Sequence, residues 1–329
     1  MKKVNWAVLS TAKIAKTQVI PGMQMSKNCH LYAVAGRKQK KVNEFQKLFG
    51  FEKAYLSYDE LLDDEQVEVV YIPLSNDLHK EWVIKAARKK KHILCEKPLV
   101  RAAEEVNELC AICEEEGVLF MEAFAYLHSP IINDLIKRVS DGVIGNIRML
   151  ETSFIISKQS EDNIRSRKET LGGSQYDVGC YNISLILKLM KQMPVDVRAM
   201  AHFTKAGIDE YCHALLTFPD GVYATSSCGM IIAQSESRKR IDRCFILGTS
   251  GHIDVFVPYN GTGELSYHIV KDGAIEIVKV NVPNNYWLEV EQFNKCVRGT
   301  EEPFVSNKFS YQVAKVQDQI LDEIDYWNR

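Results

Sequence analysis

The first 123 residues alternate between short apolar runs and amphipathic stretches, and this alternation limits the possible folds more than any other feature of the chain. Four of the runs read VNWAVL, HLYAVAG, VEVVYIPL and HILCE. Runs that are apolar at nearly every position are typical of parallel strands, because helices cover both faces of such a sheet. Right-handed crossovers between the strands then give a doubly wound, Rossmann-like α/β domain, which we predict for residues 1–123.

Residues 124–329 have a different pattern, in which strand candidates follow one another with turn signals between them. The triplets PDG at Pro219–Gly221 and KDG at residues 271–273 are two of these turns. The pattern predicts an α+β domain with a large, mostly antiparallel open sheet. Such a sheet often leaves one face in need of cover, so we expect a homodimer that forms through it.

Charge and cysteine usage favour a cytoplasmic protein that acts on small molecules. The formal net charge of −2 gives no general attraction to nucleic acid or to anionic membranes, and we expect neither as a partner. No apolar run approaches the roughly 18 residues of a membrane span, and the N-terminus lacks a signal-peptide core. Nine scattered cysteines do not resemble a secreted disulfide framework.

Metal binding has little support in the sequence. The histidines show no HxxxH or HExxH spacing, so we predict no metal site. Cys110 and Cys113 form a single CxxC inside a helical pattern, without a second pair nearby. This pair is open to two interpretations, one face of a helix or a metal or redox site.

The segment after the first strand, STAKIA, lies where dinucleotide-binding folds have the pattern G-x-G-x-x-G/A. Ser10, Ala12 and Ala15 occupy the three glycine positions, and all three are small. In that fold, backbone amides and the helix N-terminus hold the pyrophosphate of the cofactor. The residues alone leave open whether this is a pyrophosphate-binding turn or a plain junction between a strand and a helix.

The end of the second strand bears on the choice of cofactor. NAD enzymes commonly have Asp or Glu there, which binds the ribose hydroxyls, whereas Arg accommodates the additional phosphate of NADP. This chain reads GRKQKK, in which lysines follow Arg37 and no acid is present. The pattern favours NADP(H), with NAD(H) as the alternative, although a solvated basic first turn of a helix would read the same way.

The stretch HILCEKPLV carries the strongest chemical signal. Its strand ends in Glu96, Lys97 and Pro98 at the carboxyl edge of the predicted sheet, where open α/β folds bind ligands. Partial desolvation there would lower the pKa of Lys97 toward proton exchange near neutrality. Asp177 and Tyr181 lie four residues apart in LGGSQYDVGCYNI, on one face if the segment is helical. With Lys97 they would form a proton-handling set if the two domains meet there.

These motifs resemble those of the glucose–fructose oxidoreductase, inositol dehydrogenase and MocA (Gfo/Idh/MocA) family. The resemblance covers nearly the whole chain and rests on STAKIA, SYDELL, PLSNDLHKEWVIKAARKKKHILCEKPL, MEAFAY and GGSQYDVGCYNI. Because Tyr rather than His ends the D-x-G-x-[HY] motif, the dihydrodiol dehydrogenase and sugar oxidoreductase branch is the most similar. The resemblance implies NAD(P)-dependent hydride transfer at a carbinol or carbonyl carbon of a sugar, cyclitol or related polyol.

The resemblance also implies roles for the matching residues. Those that would contact the cofactor are Ser10, Thr11, Ala12, Lys13, Ile14, Arg37, Leu74, Asn76, His79, Glu96 and Lys97. Those that would contact the substrate are Tyr126, Tyr176, Asp177 and Tyr181. Lys97, Asp177 and Tyr181 would form the catalytic set, with Lys97 hydrogen-bonded to the reacting oxygen.

Two departures from the family pattern leave the substrate open. Leu127 stands where many relatives have Arg, and LGGSQY stands where relatives often have three glycines.

The sequence does not distinguish whether Lys97 or Tyr181 exchanges the proton, because both side chains have unperturbed pKa values near 10. The competing class is a non-catalytic NADP-binding redox sensor or scaffold, which would keep the first turn and Arg37 without needing the catalytic set.

Overall fold

The computed structural model describes residues 3–256 and 258–329, which form two compact units. Unit 1 comprises residues 3–128 and Pro283–Tyr311, and unit 2 comprises the described part of Ser129–Val282 together with Gln312–Arg329. Unit 1 contains a six-stranded sheet, and unit 2 contains an eight-stranded sheet. The predicted fold class, an α/β Rossmann part plus an α+β part, is confirmed.

Unit 1 is built from strands that alternate with helices. Up to residue 128 its elements are β1 (Val4–Leu9), α1 (Ile20–Met25), β2 (Cys29–Ala35), α2 (Gln39–Phe49), β3 (Lys53–Tyr55), α3 (Tyr58–Asp63), β4 (Val69–Ile72), α4 (His79–Arg88), β5 (His92–Glu96), α5 (Ala103–Glu115) and β6 (Phe120–Ala123). A π-helical turn at Ala15–Val19 leads into α1. All strand pairs are parallel and the order is β3-β2-β1-β4-β5-β6, the order of the dinucleotide-binding fold.

The central strands of unit 1 are buried along their whole length, which explains their continuous apolar sequence. Every residue of β1 and of β4 is buried. Asn5 is the polar exception in β1, and its side-chain amide donates to the Gln66 carbonyl oxygen at 2.9 Å. A buried polar group that keeps a hydrogen bond avoids most of the cost of desolvation, so the sheet tolerates Asn5.

Unit 2 follows the second pattern predicted from the sequence. Its elements up to residue 282 are α6 (Pro130–Ser140), β7 (Ile147–Ser157), α7 (Cys180–Met190), β8 (Asp196–Phe203), β9 (Asp209–Phe218), β10 (Val222–Ile232), β11 (Arg240–Gly248), β12 (His252–Val255), β13 (Gly263–Lys271) and β14 (Ala274–Val282). The strand order is β14-β13-β12-β11-β7-β10-β9-β8. Of the paired strands that the structure describes, β7 and β10 are parallel and the others are antiparallel.

The two faces of the unit 2 sheet differ in chemistry. Helix α7 packs against β7 and β10 on one face. The strand register places a set of exposed apolar side chains on the opposite face, which we call the open face. Its most exposed apolar members are Met200, Leu215, Tyr223, Leu247, Ile275 and Ile277.

The last two helices are α8 (Asn285–Val297) and α9 (Asn307–Glu323), and α8 belongs to unit 1. The Phe293 ring contacts the Trp6 ring edge-on with centroids 5.6 Å apart, and Trp6 Nε1 donates to Asn294 Oδ1 at 2.8 Å. The predicted division between residues 123 and 124 assigns this helix to the second domain. The structure instead includes Pro283–Tyr311 in unit 1, because the α8 side chains complete the packing around β1.

Residues 3–256 and 258–329 contain neither a membrane-spanning helix nor a disulfide bond. In that part of the chain, no helix combines the length and apolar character that crossing a membrane requires. All nine cysteines are free thiols, and Cys110 and Cys113 both lie within α5. Residues 3–256 and 258–329 contain no group of three or more His, Cys, Asp or Glu side chains arranged to hold a metal ion.

Candidate active site

The carboxyl ends of four adjacent strands bring most of the predicted cofactor residues to one edge of the unit 1 sheet. Ser10 follows β1, Arg37 lies two residues beyond β2, Leu74 and Asn76 follow β4, and Glu96 is the last residue of β5. The order β2-β1-β4-β5 makes these strands neighbours. This edge is where open parallel sheets bind ligands, and the change of direction beside β1 is a topological switch point.

The turn after β1 contains no glycine, but its first residue, Ser10, has a backbone conformation typical of glycine. Ser10, at the first glycine position, has φ +148°, a value that glycine adopts readily and other residues rarely. Ala12, at the second position, keeps an ordinary negative φ. A Cβ atom at Gly36 would lie 3.1 Å from Thr11 Cγ2, so glycine at that position allows the turns after β1 and β2 to pack closely.

Tyr58 joins these two turns, and sequence reasoning missed it. Its hydroxyl is hydrogen-bonded to the Ser10 side chain and faces the charge of Arg37. Burial raises the pKa of Tyr58, while Arg37 and Ser10 act in the opposite direction. The Tyr58 ring also packs edge-on against Trp82 with centroids 5.0 Å apart. No pattern in the SYDELL motif indicates this contact.

Strand β5 ends in a side-chain hydrogen bond at Glu96 and a cis peptide bond after Lys97. The Tyr71 hydroxyl donates to Glu96 Oε1 at 2.6 Å, which fixes the carboxylate at the last position of the strand. The next peptide bond, between Lys97 and Pro98, is cis. Lys97, the residue that follows β5, is half-buried.

The buried His79 side chain contacts two of the loops at this edge, those that follow β4 and β5. Its Nδ1 atom lies 2.9 Å from the Pro98 carbonyl oxygen, and its Nε2 atom lies 3.2 Å from the Leu74 carbonyl oxygen. The side chain is 0% exposed, and burial lowers the pKa of His79 to about 4 despite the two carbonyl groups. The neutral ring has one N–H and donates to one carbonyl at a time. Its predicted contact with the cofactor stays a prediction.

Two buried carboxyl groups, Glu122 and Glu289, interact with the end of β5, and no sequence pattern indicates either of them. Burial raises the pKa of Glu122 to about 7, while hydrogen bonds from Ser310 and the Leu99 backbone and the charge of Lys97 oppose the shift. Burial also raises the pKa of Glu289 well above its usual value, and the charge of Glu96 adds to this rise. Glu122 on β6 therefore interacts with the charge of Lys97, and Glu289 on α8 interacts with that of Glu96.

Tyr126, predicted to contact the substrate, is fully buried in unit 1. Its ring packs edge-on against Phe124, with centroids 6.2 Å apart. Leu127, which replaces the Arg of many relatives, is also fully buried. In this conformation Tyr126 is a packing residue, and its role toward substrate stays a prediction.

In unit 2, Asp177 and Tyr181 lie on a continuous helical segment formed by a π-helical turn at Gln175–Gly179 and α7. Arg165 Nε donates to Asp177 Oδ2 at 2.6 Å, and Asp177 is only 7% exposed. The arginine comes from the polar loop between β7 and α7, whose conformation no sequence pattern predicts. The hydrogen bond from the guanidinium group fixes the direction of the Asp177 carboxyl group.

The glycines before this segment have a steric reason. The Gly172 and Gly173 amides donate to the carbonyl oxygens of Arg167 and Arg165 respectively, both at 2.9 Å. A Cβ atom at Gly172 would lie 2.5 Å from the Arg167 carbonyl oxygen and 2.6 Å from that of Arg165. Only glycine allows the loop to fold back this closely, and the fold brings Arg165 to Asp177.

The two tyrosines of this segment have different surroundings. Tyr181 is half-buried, and its ring contacts Phe154 and Tyr259 at centroid distances of 5.1 and 5.2 Å. Tyr176 is fully buried and contacts the rings of Tyr326 and Trp327. Tyr181 thus keeps an accessible side, whereas Tyr176 packs in the core and its predicted contact with substrate stays a prediction.

Comparison with known proteins extends the resemblance noted in the sequence. A family model described as "Oxidoreductase family, NAD-binding Rossmann fold" matches residues 4–124. A second, described as "GFO/IDH/MocA C-terminal domain", matches residues 132–254. The two matches together span more than half of the 329 residues.

Individual relatives match over nearly the full length. An uncharacterised oxidoreductase of Rhizobium meliloti is 31% identical, and the alignment covers 97% of this chain and 96% of the relative. D-xylose 1-dehydrogenase (NADP(+)) 2 of Haloferax volcanii is 29% identical, with 97% of each chain covered. A 3-ketoreductase from Actinomadura kijaniata, crystallised with NADP and TDP-benzene, is 26% identical with a TM-score of 0.89 and covers 98% of each chain.

Proposed function

We propose that this chain, which belongs to the Gfo/Idh/MocA family of oxidoreductases, transfers hydride between NADP(H) and a carbinol or carbonyl carbon of a sugar, cyclitol or dihydrodiol-like substrate. The observation that carries the proposal is the strand-end edge of unit 1. There the glycine-like turn at Ser10, the basic residue Arg37 and the half-buried Lys97 follow strands of one parallel sheet. A sugar dehydrogenase among the relatives is consistent with this substrate class.

The chemistry of this edge fits a dinucleotide phosphate. The turn at residues 10–14 begins a helix, whose first N–H groups have no acceptor within the helix and can bind a pyrophosphate. Gly36 lets the two turns approach, and Arg37 is exposed beside the Tyr58 hydroxyl. A guanidinium group and a phenol hydroxyl are donors suited to a 2′-phosphate. These features support NADP(H) over NAD(H), which remains the alternative cofactor.

Several residues around the two turns complete the proposed cofactor contacts. Ser10, Thr11, Ala12, Lys13 and Ile14 line the pyrophosphate, and Leu74, Asn76 and Glu96 border the ribose and nicotinamide. When bound, the nicotinamide supplies or accepts the hydride. His79 holds the loops that carry Leu74 and Pro98, and this buried position supports an indirect role.

On the substrate side, we assign proton handling to Lys97, Asp177 and Tyr181. The Lys97 ammonium group donates a hydrogen bond to the reacting oxygen and stabilises negative charge on it. Asp177, held by Arg165, accepts a hydrogen bond from a substrate hydroxyl, and the hydroxyl group of the half-buried residue Tyr181 takes part in proton transfer. Either Lys97 or Tyr181 exchanges the proton, and the pH dependence of kcat in variants of each residue will separate the two.

The open face of unit 2 supports a homodimer. Met200 is 79% exposed and Ile275 is 65% exposed, although both lie in strands. Apolar side chains grouped on one sheet face are typical of protein interfaces. We expect Ile275→Lys to shift the mass in light scattering from dimer to monomer, with Leu48→Lys on α2 as a control that also changes an exposed apolar residue.

A cytoplasmic location is part of the same proposal. All nine cysteines are free, and nine reduced thiols in one chain suit a reducing compartment better than an oxidising one. Fractionation of cells that express the tagged chain tests this assignment. Recovery with periplasmic or secreted proteins would contradict it.

The test of the proposed function is an assay of sugars, cyclitols and dihydrodiols with NADP and NAD, followed by the absorbance of the reduced nicotinamide. We expect turnover with NADP and binding of NADPH to wild type and to Lys97→Ala alike, with turnover largely lost in the variant. Unchanged turnover in Lys97→Ala would contradict the role of the lysine. NADPH binding without turnover of any substrate would favour the redox sensor or scaffold instead.

A further inference from the structure

Asp209 is a buried carboxyl group whose partners lie just before the proposed catalytic residues of unit 2. It is the first residue of β9 and is 0% exposed. Its Oδ2 atom accepts hydrogen bonds from Ser174 Oγ at 2.6 Å and from the Gln175 backbone N–H at 2.7 Å. These donors belong to the start of the helical segment that carries Asp177 and Tyr181.

The backbone beside Asp209 is shaped to let this carboxyl group approach. Gly173 has φ +104°, which side-chain-bearing residues rarely adopt. A Cβ atom at Gly173 would lie 2.1 Å from Asp209 Oδ1, so every other residue would displace the carboxyl group. The glycine therefore serves the approach of Asp209 as well as the turn itself.

The contact is connected to Asp177 through short backbone links. The Asp177 N–H donates to the Gly173 carbonyl oxygen at 3.1 Å, and the Gly173 N–H donates to the Arg165 carbonyl oxygen at 2.9 Å. Arg165 in turn holds the Asp177 carboxylate. A shift of residues 173–175 would therefore move both partners of the Arg165–Asp177 pair.

The chemistry of the contact matches a helix N-terminus. A carboxyl oxygen that accepts from the first free N–H and from a neighbouring hydroxyl satisfies donors that the helix leaves unpaired. Burying a carboxyl group is costly, and an apolar residue of similar size would avoid the cost. Asp209 Oδ1 has no hydrogen-bond partner among the described residues, which adds to that cost. Stability alone would therefore favour an apolar residue at this position over Asp209.

We propose that Asp209 is a positioning residue, whose carboxyl group fixes the first turn of the segment that presents Asp177 and Tyr181. This inference rests on the proposed function for those two residues. Asp209 does not touch the reacting atoms in this role. It acts through Ser174 and Gln175, and its removal lets the segment move away from the geometry that the reaction needs.

Hydrogen exchange tests the positioning without reference to any substrate. In Asp209→Asn the amide replaces one carboxyl oxygen by a donor, so peptides that cover residues 172–181 should exchange faster than in wild type. Asp196→Asn, at the start of β8 in the same sheet and exposed, is the matched control and should leave these peptides unchanged. Equal exchange in wild type and Asp209→Asn would overturn the proposal.

Kinetics then separate positioning from simple loss of folded protein. We express kcat per NADPH-binding site and expect it to be about tenfold to a hundredfold lower in Asp209→Asn than in wild type. This is the effect expected when a catalytic group is slightly misplaced. The NADPH Kd should stay within about twofold, because its proposed contacts lie in unit 1. An unchanged kcat per binding site would overturn the proposal. Absence of turnover in wild type, with faster exchange in the variant, would count against the proposed function while supporting the positioning.

Discussion

The Arg165 Nε atom lies 2.6 Å from Asp177 Oδ2, and this pair joins a polar loop to the helical segment that carries the proposed catalytic residues of unit 2. The Asp177 side chain is 10% exposed and that of Arg165 is 40% exposed, so solvent screens one partner only. The pair therefore contributes direction to the carboxylate more than stability to the fold.

Removal of this arginine should impair catalysis more than folding. We expect Arg165→Gln to lower kcat/KM about tenfold, because Asp177 loses the group that orients it. Arg167→Gln is the matched control, since Arg167 lies two residues away and pairs at 3.7 Å with a fully exposed Asp162. Steady-state kinetics of both variants check this, and equal losses would contradict a specific role for Arg165.

The conformation of Ser10 predicts an unusual effect of glycine. Because Ser10 has φ +148°, Ser10→Gly should relieve backbone strain that exceeds the loss of the side-chain hydrogen bond to Tyr58, and should raise the free energy of unfolding by about 1 kcal/mol. Ser57→Gly should have the opposite sign, because Ser57 has φ −120° and its side chain caps α3. Urea unfolding of both variants measures the difference, and destabilisation of similar size in both would contradict the assigned strain.

The strands of unit 1 were predictable because their burial on both faces leaves a continuous apolar run such as VNWAVL. The positions of Ser10, Arg37 and Glu96 at one edge followed from that topology alone. The inclusion of α8 in unit 1 was not predictable, because it depends on packing between Trp6 and Phe293, far apart in the chain.

The candidate site was predictable where it depends on strand ends and not where it depends on loops. Tyr58 meets Ser10 only because the turns after β1 and β2 pack together, and Arg165 meets Asp177 only because Gly172 lets the loop fold back. Asp209 gave no signal in sequence, since its partners lie 34 and 35 residues away. Side-chain placement of this kind depends on tertiary structure.

Arg37 and Tyr58 should together set the preference between cofactors. We expect Arg37→Gln to weaken NADPH binding at least about tenfold and to leave NADH binding nearly unchanged, because only NADPH carries the 2′-phosphate. Tyr58→Phe should cause a smaller loss with the same selectivity. Lys41→Gln, an exposed basic residue of α2, is the control. Titrations that show equal weakening of both cofactors by Arg37→Gln would contradict the assignment.

Glu122 should make stability depend on pH near neutrality. Its pKa is raised to about 7 in the folded chain, so the folded state keeps a proton that the unfolded state has already lost. The free energy of unfolding therefore falls as pH rises from the unfolded pKa toward 7, by up to about 1.4 kcal/mol per pH unit. Glu122→Gln should lack this component.

Urea unfolding at a series of pH values compares wild type with Glu122→Gln and with Glu115→Gln, an exposed residue of the preceding helix. As pH rises, we expect the free energy of unfolding of wild type to fall relative to that of Glu122→Gln. The difference between wild type and Glu115→Gln should not change with pH. A level difference for Glu122→Gln would show that the carboxyl group is ionised throughout.

Transfer of deuterium from the nicotinamide C4 position tests the central claim most directly. Wild-type protein is incubated with labelled NADPH and the carbonyl form of each sugar, cyclitol or dihydrodiol candidate, and the products are analysed by mass spectrometry. We predict a product with one deuterium on the new carbinol carbon, and little or no such product with Lys97→Ala at full NADPH occupancy. Saturating NADPH binding with no labelled product from any candidate would contradict the proposed hydride transfer.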